Sequence, residues 1–229
     1  MIEHKIYPVI HVEDIPQAIG NTLIARKYGA DGVFLINHKI SPEDLLEIHA
    51  RVAEVVEDWW IGINCLGFSD EQMFQHATPE MSGIWTDNAN IDERTDFQQN
   101  ANYIQSFRKK SGWQGLYFGG VAFKYQREII DLESACEKAI PYVDIVTTSG
   151  PGTAKAADVN KIERMSKALK GHPLAIASGI TFDNIESYLD KATHFLVASG
   201  INKSWAHLDP YLVKQLVEKI RYYEKIEEV

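Results

Sequence analysis

Two identical tetrapeptides in the last quarter of the chain have the composition of an anion-binding turn. Residues 177–180 and 198–201 both read Ala-Ser-Gly-Ile, and each copy ends a short apolar run. Glycine lets a backbone approach a ligand closely, and backbone N–H groups at the start of a helix bind phosphate. The residues that follow the first copy, 181–185, predict such a helix start. Small residues that only permit a tight turn would give the same pattern. The residues predicted to hold a phosphate are Ser178, Gly179, Ser199 and Gly200.

Two further segments could close over a ligand. Residues 148–155 read Thr-Ser-Gly-Pro-Gly-Thr-Ala-Lys, which combines hydrogen-bond donors with a flexible backbone, and Lys155 could contact an anion. A plain surface turn would have a similar composition. Trp205 follows the second tetrapeptide, where an aromatic side chain could cover the site. The residues of the first segment predicted to contact the ligand are Thr148, Ser149, Gly150, Gly152 and Thr153.

Lys124 and Asp87 are the predicted catalytic pair, because each directly follows an apolar run. A desolvated lysine can have a lowered pKa and act as a nucleophile or base, whereas a protonated lysine would hold an anionic ligand. An ion pair of Lys124 with Asp87 or Glu13 would make the lysine structural instead. Asp87 is placed to act as a general base or a metal ligand, although aspartate is also common at the start of a loop.

Other polar side chains end the predicted strands. His11 and Glu13 are two positions apart and therefore on one side of a strand, where they could share a ligand or orient each other. No compact spacing of metal-ligating residues accompanies them, so we predict no metal site and no cofactor. Asn37 and Asn64 end two more apolar runs, and together with His11 we expect them to orient the substrate. Nothing marks an activating base for Cys65, which we do not expect to be a nucleophile.

Eight short apolar runs recur along the chain. Their starts, at positions 6, 32, 59, 83, 116, 143, 173 and 194, are 21 to 33 positions apart. A strand, a crossover helix and two loops occupy about that length, and parallel strands need such crossovers. The runs are continuous rather than alternating, which is typical of strands buried on both faces.

Segments between the runs have helix signals. Residues 41–44, Ser-Pro-Glu-Asp, predict a capped helix start, and Thr95 and Asp158 each precede apolar residues at helical spacing. Gly171 is predicted to end the helix after Asp158, and residues 210–226 form an amphipathic segment. Eight strand–helix units predict an α/β protein with a single (β/α)8 TIM barrel over residues 1–229. A doubly wound open sheet is the alternative, but no GxGxxG follows the first run.

Composition and charge limit the classes of protein to which this chain can belong. The 229 residues include 23 basic and 32 acidic side chains, which give a formal charge of −9, and 45% of the residues are apolar. This excludes a disordered chain and opposes general nucleic-acid binding, which needs a basic surface. Only two cysteines are present, no run reaches the roughly 20 apolar residues of a membrane span, and the start of the chain has no secretory pattern. We therefore expect a cytoplasmic protein. Tyr222 and Tyr223 on the last helix could face the barrel or a second copy in a homo-oligomer.

The chain resembles the BtpA-like family of phosphate-site (β/α)8 barrels, named for a photosystem I biogenesis factor. The matching segments are residues 30–34, 62–66 and 148–153, the apolar strand that ends at Lys124, and the two Ala-Ser-Gly-Ile copies. Ala154 stands where the family has a glycine, and residues 12–16 replace its Pro-Leu-Pro-Gly stretch. The resemblance implies a barrel with a phosphate site, and the wider ribulose-phosphate-binding group includes isomerases, epimerases, lyases and synthases.

These patterns predict an enzyme that acts on a small phosphorylated metabolite, either a sugar phosphate or a nucleotide-like compound. The expected chemistry is of an acid–base, isomerase, lyase or transferase type at the carboxyl ends of the strands. The alternative is a non-catalytic protein that binds a phosphorylated ligand or assists the assembly of a larger complex.

Overall fold

Eight parallel strands close into a barrel in the computed structural model, which describes residues 3–227. Each strand pairs with its neighbour in sequence, and the eighth pairs with the first. In that closing pair, Lys5 lies opposite His194 and Pro8 opposite Val197. The predicted (β/α)8 barrel is therefore confirmed. The strands are β1 (Lys5–Val12), β2 (Gly32–Asn37), β3 (Trp60–Asn64), β4 (Gly83–Thr86), β5 (Leu116–Gly120), β6 (Ile145–Thr148), β7 (Leu174–Ala177) and β8 (His194–Val197).

Helices cover the outside of the barrel. Several of them begin at a residue whose side chain caps the first turn. Ser41 is the predicted helix cap and forms a capping box, in which its hydroxyl accepts from the Asp44 N–H at 3.1 Å. Asp158 likewise accepts from the Lys161 N–H at 2.9 Å. A short hairpin, β9 (Asn202–Ser204) and β10 (His207–Leu208), follows β8. The helices are α1 (Ile15–Lys27), α2 (Pro42–Val55), α3 (Asp70–Gln75), α4 (Gln99–Ser111), α5 (Leu132–Ala139), α6 (Val159–Leu169) and α7 (Pro210–Glu227).

Two predicted helix starts are wrong, each because a side-chain amide binds the local backbone. Thr95 does not begin α4, since the Gln98 side chain donates to the carbonyls of Asp92 and Thr95 and holds this segment as a loop. After β7, the Asn184 side chain accepts from the Thr181 N–H at 2.9 Å. That segment contains only a three-residue 3-10 helix, Ile185–Ser187, so no α-helix N-terminus points at the tetrapeptide before it.

The last helix packs on the barrel. Val213, Leu216 and Ile220 of α7 are buried, and Tyr222 is 67% exposed. Arg221 of α7 donates to Asp31 Oδ2 at 2.6 Å, and this carboxylate also accepts from the backbone N–H at the start of β1. The amphipathic face predicted at 210–226 therefore covers this chain's own strands. No helix within residues 3–227 is long and apolar enough to cross a membrane.

Aromatic rings fill the amino-terminal part of the barrel interior. The Phe34 ring is fully buried and contacts the rings of Tyr7, Trp60, Trp85 and Phe118 edge-on, at centroid distances of 5.0 to 5.7 Å. Such edge-to-face pairs are favourable beyond the area they bury. These five rings are called the aromatic cluster.

Phe34→Ala is expected to lower the free energy of unfolding by about 3–5 kcal/mol, because it removes a buried ring from the centre of the aromatic cluster. Urea denaturation followed by circular dichroism measures this change. Phe97→Ala is the matched control, since this ring is 73% exposed and its loss should change stability by less than about 0.5 kcal/mol. Equal losses in the two variants would contradict the packing described here.

Candidate active site at the carboxyl ends of the strands

A cavity of about 550 Å³ opens where the strands end. Its walls near the aromatic cluster are apolar and include Val9, Ile36 and Leu196. Its rim carries polar side chains from six different loops. The predicted site residues that line it are His11, Asp87, Lys124, Thr153, Ser178 and Ser199. Predicted site residues as far apart in sequence as His11 and Ser199, 188 positions, therefore share one cavity.

Lys124 and Asp87 face this cavity without forming an ion pair. Within residues 3–227, no carboxylate lies within salt-bridge distance of Lys124, and Glu13 pairs instead with Lys39 at 3.0 Å. Asp87 accepts one hydrogen bond, from Asn64 Nδ2 at 3.2 Å. Burial raises the pKa of Asp87, while the Asn64 hydrogen bond and the positive charge of Lys124 oppose that rise. A cation and a carboxyl group that do not neutralise each other can both act on a bound molecule.

The loop that carries Lys124 is held from behind by a second lysine. Lys161 on the first turn of α6 donates to the carbonyls of Ala122 and Ser149 at 2.6 and 2.8 Å. The Ser149 hydroxyl in turn accepts from the Lys124 N–H at 2.8 Å. Burial lowers the pKa of Lys161 to about 8. Lys161 was not among the predicted site residues, although its place in the first turn of α6 puts it beside the loops after β5 and β6.

Several predicted ligand-binding residues are used inside the fold. The Asn37 side chain accepts from the Leu66 N–H at 2.7 Å and donates to the Leu66 carbonyl at 2.9 Å. The Thr148 hydroxyl donates to the Ala122 carbonyl at 3.2 Å. Asn37, Thr148 and Ser149 are buried and do not line the cavity. These side chains support the loops around the cavity, because their polar atoms already have partners in neighbouring loops.

The two identical tetrapeptides adopt different conformations. Ser178 has a φ of +109° and Gly179 a φ of +70°, whereas the second copy has no residue with positive φ. Positive φ at a serine stores strain, which neighbouring structure must hold in place. The Ser178 hydroxyl donates to the Gly152 carbonyl at 3.2 Å and so fastens the loop after β7 to the loop after β6.

Glycine is required in both copies by backbone packing between loops. A Cβ on Gly179 would lie 2.3 Å from the Lys155 carbonyl carbon, and one on Gly200 would lie 2.1 Å from the Ile180 carbonyl oxygen. The N–H groups of Gly179, Ser199 and Gly200 donate to no acceptor in residues 3–227. Three free donors therefore remain near the ends of β7 and β8. Gly150 and Gly152, in the loop after β6, do not line the cavity.

The rings of His11, His38 and Trp205 contact one another at the carboxyl ends of β1 and β2 and form an aromatic rim. The rings of His11 and Trp205 are 4.0 Å apart, and His38 lies 4.9 Å from His11. Burial lowers the pKa of His11 to about 4, helped by His38 and by the charge of Lys124, so the ring is neutral at pH 7. Among residues 3–227, no three His, Cys, Asp or Glu side chains are grouped so that they could hold a metal ion. A covering role was considered for Trp205 from its place after the second tetrapeptide, whereas His38 was not predicted as a site residue.

The hairpin that carries Trp205 is fastened to α1. Asn21 Nδ2 donates to the Ala206 carbonyl at 2.7 Å, and the Leu208 N–H donates to Asn21 Oδ1 at 3.1 Å. Asn202 Nδ2 also donates to the Trp205 carbonyl at 3.2 Å. The backbone of Trp205 is thus fixed at the mouth by its own hairpin and by the first helix.

A second carboxyl group lies behind Asp87. Asp70 and Asp87 line a smaller pocket of about 190 Å³ on the far side of Trp85. Burial raises the pKa of Asp70 to about 6, opposed by the Asn90 hydrogen bond and reinforced by the negative charge of Asp87. Asp70 was not predicted, since in the sequence it is only an acidic residue in the first turn of a short helix.

Known proteins resemble this chain in fold but not in sequence. No protein-family model matches it, and no curated protein matches it. The native KDPGal structure has a TM-score of 0.69 at 13% identity, with 96% of each chain covered. A monomer form of phosphoribosylanthranilate isomerase from Thermotoga maritima has a TM-score of 0.67 at 13% identity and covers 96% of this chain and 99% of its own. A (S)-3-O-geranylgeranylglyceryl phosphate synthase from Thermoplasma acidophilum, in complex with sn-glycerol-1-phosphate, has a TM-score of 0.66 at 14% identity, covering 96% of this chain and 94% of its own. At these identities the likeness shows the barrel fold alone.

Asp70→Asn is expected to raise the free energy of unfolding at pH 7 by about 1–2 kcal/mol, because it removes a buried negative charge. The folded-state pKa of Asp70, about 6, lies above the ordinary value of 3.8, so this carboxyl group destabilises the fold progressively as pH rises from 4 to 6. At pH 3.5 the variant should therefore show no gain.

Urea denaturation at the two pH values measures this difference. Asp183→Asn, at an exposed position, is the control and should leave stability unchanged at both. A gain for Asp70→Asn that is equal at pH 3.5 and pH 7 would show that the charge is not responsible.

Proposed function

We propose that this chain is an enzyme that acts on a small phosphorylated metabolite in the cavity at the carboxyl ends of the strands. The observation that carries the proposal is the placement of an unpaired lysine and a half-buried carboxyl group, Lys124 and Asp87, in one cavity, with free backbone donors nearby at the ends of β7 and β8. Unpaired charges that face a cavity are expensive for stability and are concentrated at functional sites.

The phosphate would lie at the ends of β7 and β8. The free N–H groups of Gly179, Ser199 and Gly200 are there, and the exposed Lys203 adds a positive charge to the rim. Phosphate sites in (β/α)8 barrels are frequently built from the loops after strands 7 and 8. Among proteins with a similar fold, the geranylgeranylglyceryl phosphate synthase is in complex with a glycerol phosphate. Since only a three-residue 3-10 helix lies between β7 and β8, backbone donors and Lys203 would hold the phosphate without a helix dipole.

The chemistry would use Asp87 and Lys124 in complementary roles. Asp87, whose pKa is raised by burial, could exchange a proton with a carbon or hydroxyl group of the substrate. Protonated Lys124 would then stabilise the negative charge that develops on a substrate oxygen. Isomerisation and carbon–carbon cleavage next to a carbonyl group both need these two roles. If Lys124 instead attacks the carbonyl carbon, loss of water gives an imine, and Asp87 would carry the protons.

We further propose that the chain is a divergent member of the BtpA-like family. The support is the set of motifs shared with that family, above all the loop after β6 and the two Ala-Ser-Gly-Ile copies. In this chain these motifs form one continuous wall, because the glycine of each copy packs on the backbone of the preceding loop.

Lys124→Ala is expected to keep ligand binding and lose turnover by a factor of about 10² or more, since it removes a charge that acts on the reacting atoms. A thermal-shift screen of phosphorylated metabolites identifies the ligand, because a ligand that binds only the folded state raises Tm. Turnover is then followed by NMR. Lys214→Ala, an exposed lysine on α7, is the control and should change neither quantity. A ligand that binds and is never converted by the wild-type protein would favour the non-catalytic alternative.

Ser199→Asp is expected to abolish the thermal shift with phosphorylated compounds, because a carboxylate at the end of β8 repels the phosphate. Ser41→Asp is the matched control: it adds the same charge at a helix N-cap where aspartate is as favourable as serine, away from the cavity. If the Ser199 variant still binds phosphorylated compounds as tightly as the wild type, the phosphate does not lie at β7 and β8.

A further inference from the structure

Lys161 is a half-buried cation without a counter-charge. It lies in the first turn of α6, and its ammonium group donates to two backbone carbonyls, those of Ala122 and Ser149. The other basic residues of this helix, Arg164 and Lys167, each pair with a carboxylate, whereas no carboxylate in residues 3–227 lies within salt-bridge distance of Lys161. The first turn of a helix favours negative charge, and burial also opposes a cation there. Charges kept in such unfavourable places are concentrated at functional sites.

The first of the two carbonyls belongs to a strained turn. Ala122 has a φ of +49°, a left-handed conformation that a residue with a side chain keeps only when its neighbours hold it. This turn lies between the end of β5 at Gly120 and Lys124, so its conformation sets the direction in which the Lys124 side chain enters the cavity. The Ala122 carbonyl accepts from Lys161 Nζ at 2.6 Å and from the Thr148 hydroxyl at 3.2 Å. Hydrogen bonds from a charged donor are about twice as strong as neutral ones, so Lys161 makes the stronger of these two bonds.

The second carbonyl controls the backbone of Lys124 itself. Lys161 Nζ donates to the Ser149 carbonyl at 2.8 Å, and the Ser149 hydroxyl accepts from the Lys124 N–H at 2.8 Å. Lys161 is therefore linked to Lys124 by two routes, one through Ala122 and one through Ser149. It does not line the cavity but a separate groove of about 340 Å³. Lys161 can therefore affect a molecule in the cavity only through the loops that it holds.

We infer that Lys161 is a positioning residue for Lys124, and that its ammonium group ties the loops after β5 and β6 together so that the Lys124 side chain reaches the reacting atoms. The inference rests on the proposed function, in which Lys124 acts on the substrate. An error of about 1 Å in the placement of such a group can lower a rate by about 100-fold. An apolar side chain of similar length would fill the same space, but it would leave both carbonyls without their charged donor.

Hydrogen exchange of the ligand-free protein tests the hold on the loop. In Lys161→Cys the backbone amides of residues 121–126 are expected to exchange about 10-fold faster than in the wild type, because local opening becomes easier without the charged donor. Alkylation of the new thiol with 2-bromoethylamine, with loss of bromide and a proton, places an ammonium group at the length of a lysine side chain and should restore the wild-type rate. The native Cys65 and Cys136 are buried, and burial raises the pKa of both thiols to about 12, so they react slowly.

Lys167→Cys, treated in the same way, is the matched control, because 75% of the Lys167 side chain is exposed on the same helix. It should leave exchange at residues 121–126 unchanged before and after alkylation. Unchanged exchange in Lys161→Cys, or an increase that the restored ammonium group does not reverse, overturns the inference.

Labelling with pyridoxal 5′-phosphate, a probe that carries both a phosphate and an aldehyde, tests the consequence for Lys124. The Lys124 amine adds to the aldehyde, water is lost to give an imine, and borohydride reduces the imine to a stable amine that peptide mapping locates. In Lys161→Cys the maximal labelling rate of Lys124 is expected to fall about 10-fold or more and to recover on alkylation. The half-saturating concentration of the probe should stay unchanged, because the variant does not alter the ends of β7 and β8.

A maximal labelling rate that does not fall in Lys161→Cys overturns the positioning role. Failure of the proposed function has a different signature in the wild type: Lys124 then reacts no faster than the exposed Lys214, and inorganic phosphate does not compete with the probe. In that case the phosphate site is wrong, and the hydrogen-exchange result alone decides whether Lys161 holds the Lys124 loop.

Discussion

The architecture of the site depends on how little space an eight-stranded barrel encloses. Eight strands leave an interior just wide enough for side chains, and here the aromatic cluster around Phe34 occupies the half nearest the amino-terminal ends. Gly62 makes this possible, because a Cβ there would lie 2.4 Å from the Phe34 ring. The cavity at the other end has an apolar floor that includes Val9, Ile36 and Leu196. Large side chains at one end of the barrel thus define the binding space at the other.

The apolar floor of the cavity determines which side chains at its mouth carry charge. Apolar walls keep His11 neutral and raise the pKa of Asp87, so the balance of charge there differs from that of the protein as a whole. The chain carries a net charge of −9, yet Lys124 and Lys203 face the cavity without carboxylate partners in residues 3–227. Overall charge therefore opposes long polyanions, whereas the local field at the mouth attracts a small one.

Much of the scaffold could be predicted from the sequence, because its signals are local. Continuous apolar runs identified all eight strands, and Ser41 and Asp158 identified helix starts since a cap is formed within four residues. Predictions failed where an amide side chain competed for the same backbone groups, as Gln98 and Asn184 do. Three residues at or near the site were missed for a different reason. Lys161 and Asp70 lie in the first turns of helices, and only packing between distant segments brings them close to the strand ends, which leaves no spacing pattern in the sequence. His38 directly follows β2, but its contact with the distant Trp205 has no signal in the sequence.

The hydrogen bonds of Asn21 to the β9–β10 hairpin join residues 185 and 187 positions apart. Contacts of such long sequence separation form late, since the intervening chain must be ordered before they can close. During synthesis, all eight barrel strands and six helices can emerge before the segment that carries Trp205 exists. The nascent protein therefore has no complete cavity rim until the β9–β10 hairpin emerges and binds α1.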